Sequence, residues 1–68
     1  MVRTDLLRGK MAEKNMSGVD IAKALNITQK TFYDKMKKGV FSTSEAYTMI
    51  HLLNIENAEE IFFASERS

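Results

Sequence analysis

Hydrophobic residues cluster in five separate stretches of the chain, four of them at spacings of three and four and the last as three adjacent residues. These are Leu7 and Met11 with Leu6 beside them; Ile21, Ala22 and Leu25; Phe32 and Met36; Ala46, Met49, Ile50 and Leu53; and Ile61, Phe62 and Phe63. Such spacing lines one face of an α-helix. Residues that end helices separate the stretches. Asn followed by a hydrophobic residue occurs at Asn15-Met16, Asn26-Ile27 and Asn54-Ile55, and Gly39 follows Lys37-Lys38. Asn tolerates the left-handed backbone that terminates a helix better than most residues with a side chain. The hydrophobic residue after it can fold back on the last turn: Met16 on Met11, Ile27 on Ala22, Ile55 on Ile50. Met16 and Ile27 can also staple the next helix, toward Ile21 and Phe32, across the caps Ser17 and Thr28. Ser42-Thr43-Ser44-Glu45 is a capping box with Phe41 before it, and Asn57-Ala58-Glu59-Glu60 reads as a further cap with acids in the first turn. The pattern predicts five short helices, near 5–14, 18–25, 29–38, 43–53 and 58–65. Helices this short are not stable alone, so the fold class is all-α with one shared core.

Composition narrows the picture. At 68 residues the chain makes one domain, 1–68, and folding removes only about 60% of the surface of the unfolded chain. There is no cysteine, which excludes disulfides and thiolate metal sites and is compatible with a reducing cytoplasm, the expected location. The one histidine, His51, falls on the outer face of the fourth predicted helix with Tyr47 and Thr48 and reads as surface. No apolar run approaches the length of a membrane span, and Met1–Leu7 lack the long apolar core of a signal peptide. Glu13 and Asp20 have no nucleophile or second carboxylate beside them, and there is no Gly-rich phosphate loop. No enzymatic activity, cofactor or metal is expected.

Charge is unevenly spread. Residues 1–38 hold nine Lys or Arg against Asp5, Glu13, Asp20 and Asp34, a balance of +5. Residues 39–68 hold Arg67 against Glu45, Glu56, Glu59, Glu60 and Glu66, a balance of −4. The split suggests a basic surface for a polyanion and an acidic remainder facing away; an uneven solvated surface is the plainer alternative.

Two short helices joined only by Asn26-Ile27-Thr28 form a candidate helix-turn-helix. Ala22 is small where the third helix must pass close by. Thr28 caps a helix whose outward residues are Gln29, Lys30, Tyr33, Asp34 and Lys37, a polar and mostly basic set suited to a major groove. The run Ser17-Gly18-Val19-Asp20-Ile21-Ala22-Lys23-Ala24-Leu25-Asn26-Ile27-Thr28-Gln29-Lys30-Thr31-Phe32 resembles the lambda-repressor-like (Cro/XRE-type) helix-turn-helix family. The stretches Thr31–Gly39 and Glu59–Ala64 extend the likeness to small phage or prophage repressor-like proteins, over about residues 5–64.

The resemblance implies a compact five-helix lambda-repressor-like domain that places helix 29–38 in the major groove of an operator. Gln29 and Lys30 would contact bases, and Lys37 and Lys38 phosphates; Tyr33 either packs on the helix surface or contacts a thymine methyl or a phosphate. Ser17, Gly18, Thr28, Thr31 and Asp34 complete the expected DNA-facing set. Two positions depart from the family pattern. Gly18 stands where the family often has Gln, leaving only a backbone N–H for an anion. Asp34 would repel phosphate or accept from a cytosine amino group. Met11 and Met36 stand where many relatives carry a paired Arg and Glu, and are expected to be buried together.

Adjacent Phe62 and Phe63 cannot both face one core. Leu52, Ile55, Phe62 and Phe63 are the most apolar residues left over and are the expected surface of a weak homodimer, at least on DNA. Two other readings stay open: an anti-repressor or similar module that keeps the fold but binds another regulator, and a bare helical scaffold.

Overall fold

A computed structural model describes residues 2–63. All regular structure among them is helical: α1 (Thr4–Glu13), α2 (Gly18–Leu25), α3 (Gln29–Lys38), α4 (Thr43–Leu52) and α5 (Ala58–Phe62). Helix α1 starts and ends one residue earlier than expected, α4 ends one residue earlier, and α5 stops at Phe62, before Phe63 of the expected span. Residues 64 and 65 of the expected fifth helix lie outside the described residues.

The helix ends follow from the asparagines. Asn15, Asn26 and Asn54 have φ of 56°, 61° and 52°, and Gly39 has φ of 70°. In each case the next residue donates its N–H five residues back: Met16 to Met11 at 2.9 Å, Ile27 to Ala22 at 3.0 Å, Ile55 to Ile50 at 3.0 Å and Val40 to Lys35 at 3.2 Å. These bonds satisfy carbonyls that a helix end would leave bare, and after the three asparagines they turn the hydrophobic residue back toward the core, whereas Val40 after Gly39 stays exposed. Met16 and Ile27 are half-buried against it.

Helix starts follow from the hydroxyls. Ser42 and Glu45 form the expected capping box, and Ser17 forms a second one with Asp20. Asn57 does not cap α5, contrary to expectation. Its backbone (φ −104°, ψ 49°) is not extended, and its amide instead donates to Glu60 Oε1 at 3.1 Å. A cap side chain reaches the helix N–H groups only from an extended backbone.

The core is one cluster: Leu7, Met11, Ile21, Ala22, Phe32, Met36, Ala46, Met49, Leu53, Ile55, Ile61 and Phe62. Every helix contributes, and no polar or charged residue is buried among the described residues. Met11 and Met36 are both inside, as the register of α3 requires. Ile55 and Phe62 are inside as well, which corrects their assignment to a partner surface. The bond from Ile55 to Ile50 draws Ile55 inward, and of the two aromatics Phe62 follows Ile61 into the bundle while Phe63 stays 43% exposed. The segment before α1 closes the bundle: Val2 N–H donates to Gly39 C=O at 3.0 Å and Arg3 N–H to Ile61 C=O at 2.7 Å, tying together the ends of α3 and α5.

Candidate nucleic-acid interface

Helices α2 and α3 share the most extensive packing between any two elements. Only residues 26–28 join them, and the left-handed Asn26 makes the reversal. Thr28 then starts α3, its hydroxyl accepting from Thr31 N–H at 3.1 Å and donating to Thr31 Oγ1 at 2.8 Å.

Phe32 and Met36 fix the inward side of α3. With 3.6 residues per turn, Asp34 lies diametrically opposite that stripe, with Lys30, Lys37 and Lys38 around it. Gln29, Lys30, Thr31, Tyr33, Asp34, Lys37 and Lys38 are all exposed, as are Ser17 and Thr28. The structure therefore brings nine of the ten expected DNA-facing residues to the surface, seven of them on α3.

The tenth, Gly18, is buried. Tyr33 explains this: its ring packs over Gly18, where a side chain would otherwise project. Tyr33 thus packs on the helix surface yet keeps 47% of its area exposed, so packing and contact with a ligand coexist. The start of α2, expected as an open anion site, is roofed by this ring and carries Asp20. Ser17 N–H and Oγ donate to Asp20 Oδ2 at 2.9 and 3.1 Å, and the N–H bond leads in holding that carboxyl below its usual range.

Two ion pairs sort the lysines of α3. Lys35 turns to α4 and meets Glu45 at 3.4 Å, both partly buried. Burial pushes the Glu45 carboxyl up, but the Ser42 N–H and the Lys35 charge outweigh it and hold the pKa below normal. Lys30 meets Asp34 at 3.9 Å in full view of solvent. Among the described residues, Lys37 and Lys38 have no acid within ion-pair distance. The i,i+4 spacing of Lys30 and Asp34 was a readable signal; the Lys35–Glu45 link across two helices was not.

Elsewhere the surface offers little chemistry. Exposed Glu56, Glu59 and Glu60 gather at the start of α5, which packs chiefly on α1. Tyr47, Thr48, His51 and Leu52 line a shallow depression of about 450 Å³ on α4. Tyr47 is 57% exposed, on the outer face of α4 as expected, and adds an aromatic ring beside Leu52 to the apolar surface. Among the described residues no three of His, Asp and Glu gather as a metal site requires, and no helix is long and apolar enough to cross a membrane. Comparison with protein families, with curated proteins and with solved structures finds no match to this chain.

Proposed function

We propose that the chain is a sequence-specific DNA-binding transcriptional regulator of repressor or Cro-like type. In this reading α2 and α3 act as a helix-turn-helix, with Gln29–Lys38 as the recognition helix. One observation carries the reading: the side of α3 opposite Phe32 and Met36 presents Lys30, Asp34, Lys37 and Lys38 together to solvent, with Gln29 exposed at the start of the helix and Tyr33 on its flank, half-covered where its ring rests on Gly18. A B-DNA major groove about 12 Å wide admits a helix with such side chains. Gln29 and Lys30 then meet base edges near the start of α3, and Lys37 and Lys38 meet phosphates near its end. Regulation follows from occupying an operator and excluding other proteins from it.

A module this small covers limited DNA, so specific affinity calls for two half-sites one helical turn apart and a weak homodimer. With Ile55 and Phe62 in the core, Leu52 and Phe63 are what remain of the expected partner surface.

The test is binding to a duplex selected from a random pool, measured at about 50 and 200 mM salt. Phosphate contacts release counterions, so affinity must fall steeply between the two. Absent or salt-independent binding overturns the proposal. A second reading, a module that binds another regulator, draws on one observation: the Lys30–Asp34 pair lowers the charge of the outward face beside a half-exposed Tyr33. Tyr is a common anchor of protein interfaces.

A further inference from the structure

We infer that Lys30 and Asp34 act as one reader that recognises a single G·C base pair along its major-groove edge; this rests on the DNA-binding reading above. Asp34 is the one acid in α3, a helix with four lysines. It sits at the centre of the outward stripe, where it weakens attraction to any phosphate backbone. Stability does not explain it. The Lys30 and Asp34 side chains are 89% and 60% exposed, and the acid lies C-terminal to the base, the less favourable order for an i,i+4 pair. A residue that lowers general attraction and adds little to folding has its use in discrimination.

The geometry says which base pair. The pair holds an ammonium donor and an acceptor-only carboxylate 3.9 Å apart. A G·C pair offers the complement on neighbouring atoms: acceptors N7 and O6 on guanine, then the N4 amino donor on cytosine. Lys30 facing guanine and Asp34 facing cytosine satisfies both. With the helix fixed, an A·T pair sets the adenine amino group against the ammonium and thymine O4 against the carboxylate. Reversing the pair to C·G also sets like against like. Lys35 takes no part, since Glu45 holds it on the other side of α3.

The experiment replaces each base pair of a selected duplex in turn and measures binding by wild type, Asp34→Asn, Asp34→Ala and Lys30→Ala. Both positions are exposed, and far-UV circular dichroism confirms that each variant is folded. Wild type should lose about tenfold or more in affinity when one particular G·C becomes A·T. Both Asp34 variants should bind unrelated duplexes more tightly and should lose that penalty, and Lys30→Ala should lose it at the same base pair. The inference is overturned if wild type binds selectively while the Asp34 variants keep every penalty, or if Asp34 and Lys30 variants relax different base pairs. A wild type that selects no sequence overturns the DNA-binding reading itself, and this inference with it.

Discussion

The ring of Tyr33 on α3 occupies the space that a side chain on Gly18, the first residue of α2, would need. A β-carbon built at Gly18 would lie 2.6 Å from Cζ and 2.9 Å from Cε1 of that ring, and closer still to its hydroxyl. The two positions are coupled: the absence of a side chain at residue 18 is what lets the tyrosine ring lie there. The seat also orients Tyr33 along the junction of the two helices whose relative placement the proposed function depends on.

Replacing Gly18 by Ala should swing the ring outward rather than unfold the protein, because the obstructing atoms are the far end of a half-exposed side chain. The gain in helix propensity is at most about 1 kcal/mol and roughly offsets the lost packing. Stability should then stay within about 1 kcal/mol of wild type, while nuclear Overhauser contacts between the Tyr33 ring and residue 18 weaken. Retained contacts together with a large loss of stability would show that the ring cannot move.

Adjacent Phe62 and Phe63 should behave as opposites. Phe62 is 6% exposed, and truncating it to Ala removes a core side chain at a cost of about 3–5 kcal/mol. A domain of this length has a total stability of roughly 3–10 kcal/mol, so Phe62→Ala should remove a large share of it and lower the urea midpoint sharply. Phe63→Ala should change stability by less than about 1 kcal/mol and instead reduce self-association. Urea titration and sedimentation on the two variants check both halves. Equal destabilisation by both would place Phe63 inside as well.

The same pair shows where the sequence stops being informative. Spacings of three and four locate α1 to α4, because each apolar stripe is local, and the three Asn-hydrophobic steps and Gly39 locate their ends, because a left-handed residue and its fold-back are local too. Which of two neighbouring aromatics turns inward depends on the angle at which α5 meets the bundle, and no local pattern encodes that angle. Ile55 is a different case: its fold-back on Ile50 is legible from the Asn54-Ile55 step, and the partner-surface expectation conflicts with that local signal. Asp20 is a capping-box acid whose signal is local: Ser17 stands three residues earlier, with Asp in place of the usual Glu.

On the candidate site, the outward stripe of α3 was readable from residues 29–38 alone, since it is the complement of Phe32 and Met36. The Gly18–Tyr33 seat was not, because the two residues are 15 apart and only the turn at Asn26 brings them together. Lys35 and Glu45 likewise meet only after α4 has packed on the bundle.

Acid should destabilise the protein through three carboxylates. Asp5 is held below its usual pKa by the Arg3 guanidinium, Asp20 by the Ser17 N–H, and Glu45, against the upward push of burial, by the Ser42 N–H and Lys35. A carboxyl whose pKa is lower folded than unfolded stabilises the fold above its unfolded value, here 3.8 for Asp and 4.5 for Glu, and that stability is lost as pH falls through the folded value. The thermal midpoint should be nearly level from pH 7 to about 5 and fall below about 4.5. Glu45→Gln should cost about 1 kcal/mol at pH 7, through the weakened cap and the lost partner of Lys35. That difference from wild type should narrow as pH falls below 4.5 and through the lower folded-state pKa of Glu45, where the carboxyl is neutral in the folded and unfolded wild type alike. A constant gap across the range would mean that the Glu45 charge contributes nothing.

Gln29 and the lysine pair at the other end of α3 should fail in different ways if the helix lies in a major groove. Gln29 is the first residue of α3, and a Gln there can bond adenine N6 and N7 together. Gln29→Ala should cost about 1–3 kcal/mol on the selected duplex and relax preference at one base position, with the salt slope unchanged. Lys37 and Lys38 carry charge without any base-specific geometry. Lys37→Ala and Lys38→Ala should weaken binding to all sequences alike, and each should reduce the slope of log affinity against log salt by about one unit. Both lysines also face the negative end of the α3 dipole, so each loss should lower stability by about 0.3–1 kcal/mol, which circular dichroism melts separate from the binding effect. Normal binding by all three variants would remove α3 from the DNA. The same stripe would then belong to a protein interface, and Tyr33→Ala, which leaves the lysines in place, should be the substitution that abolishes it.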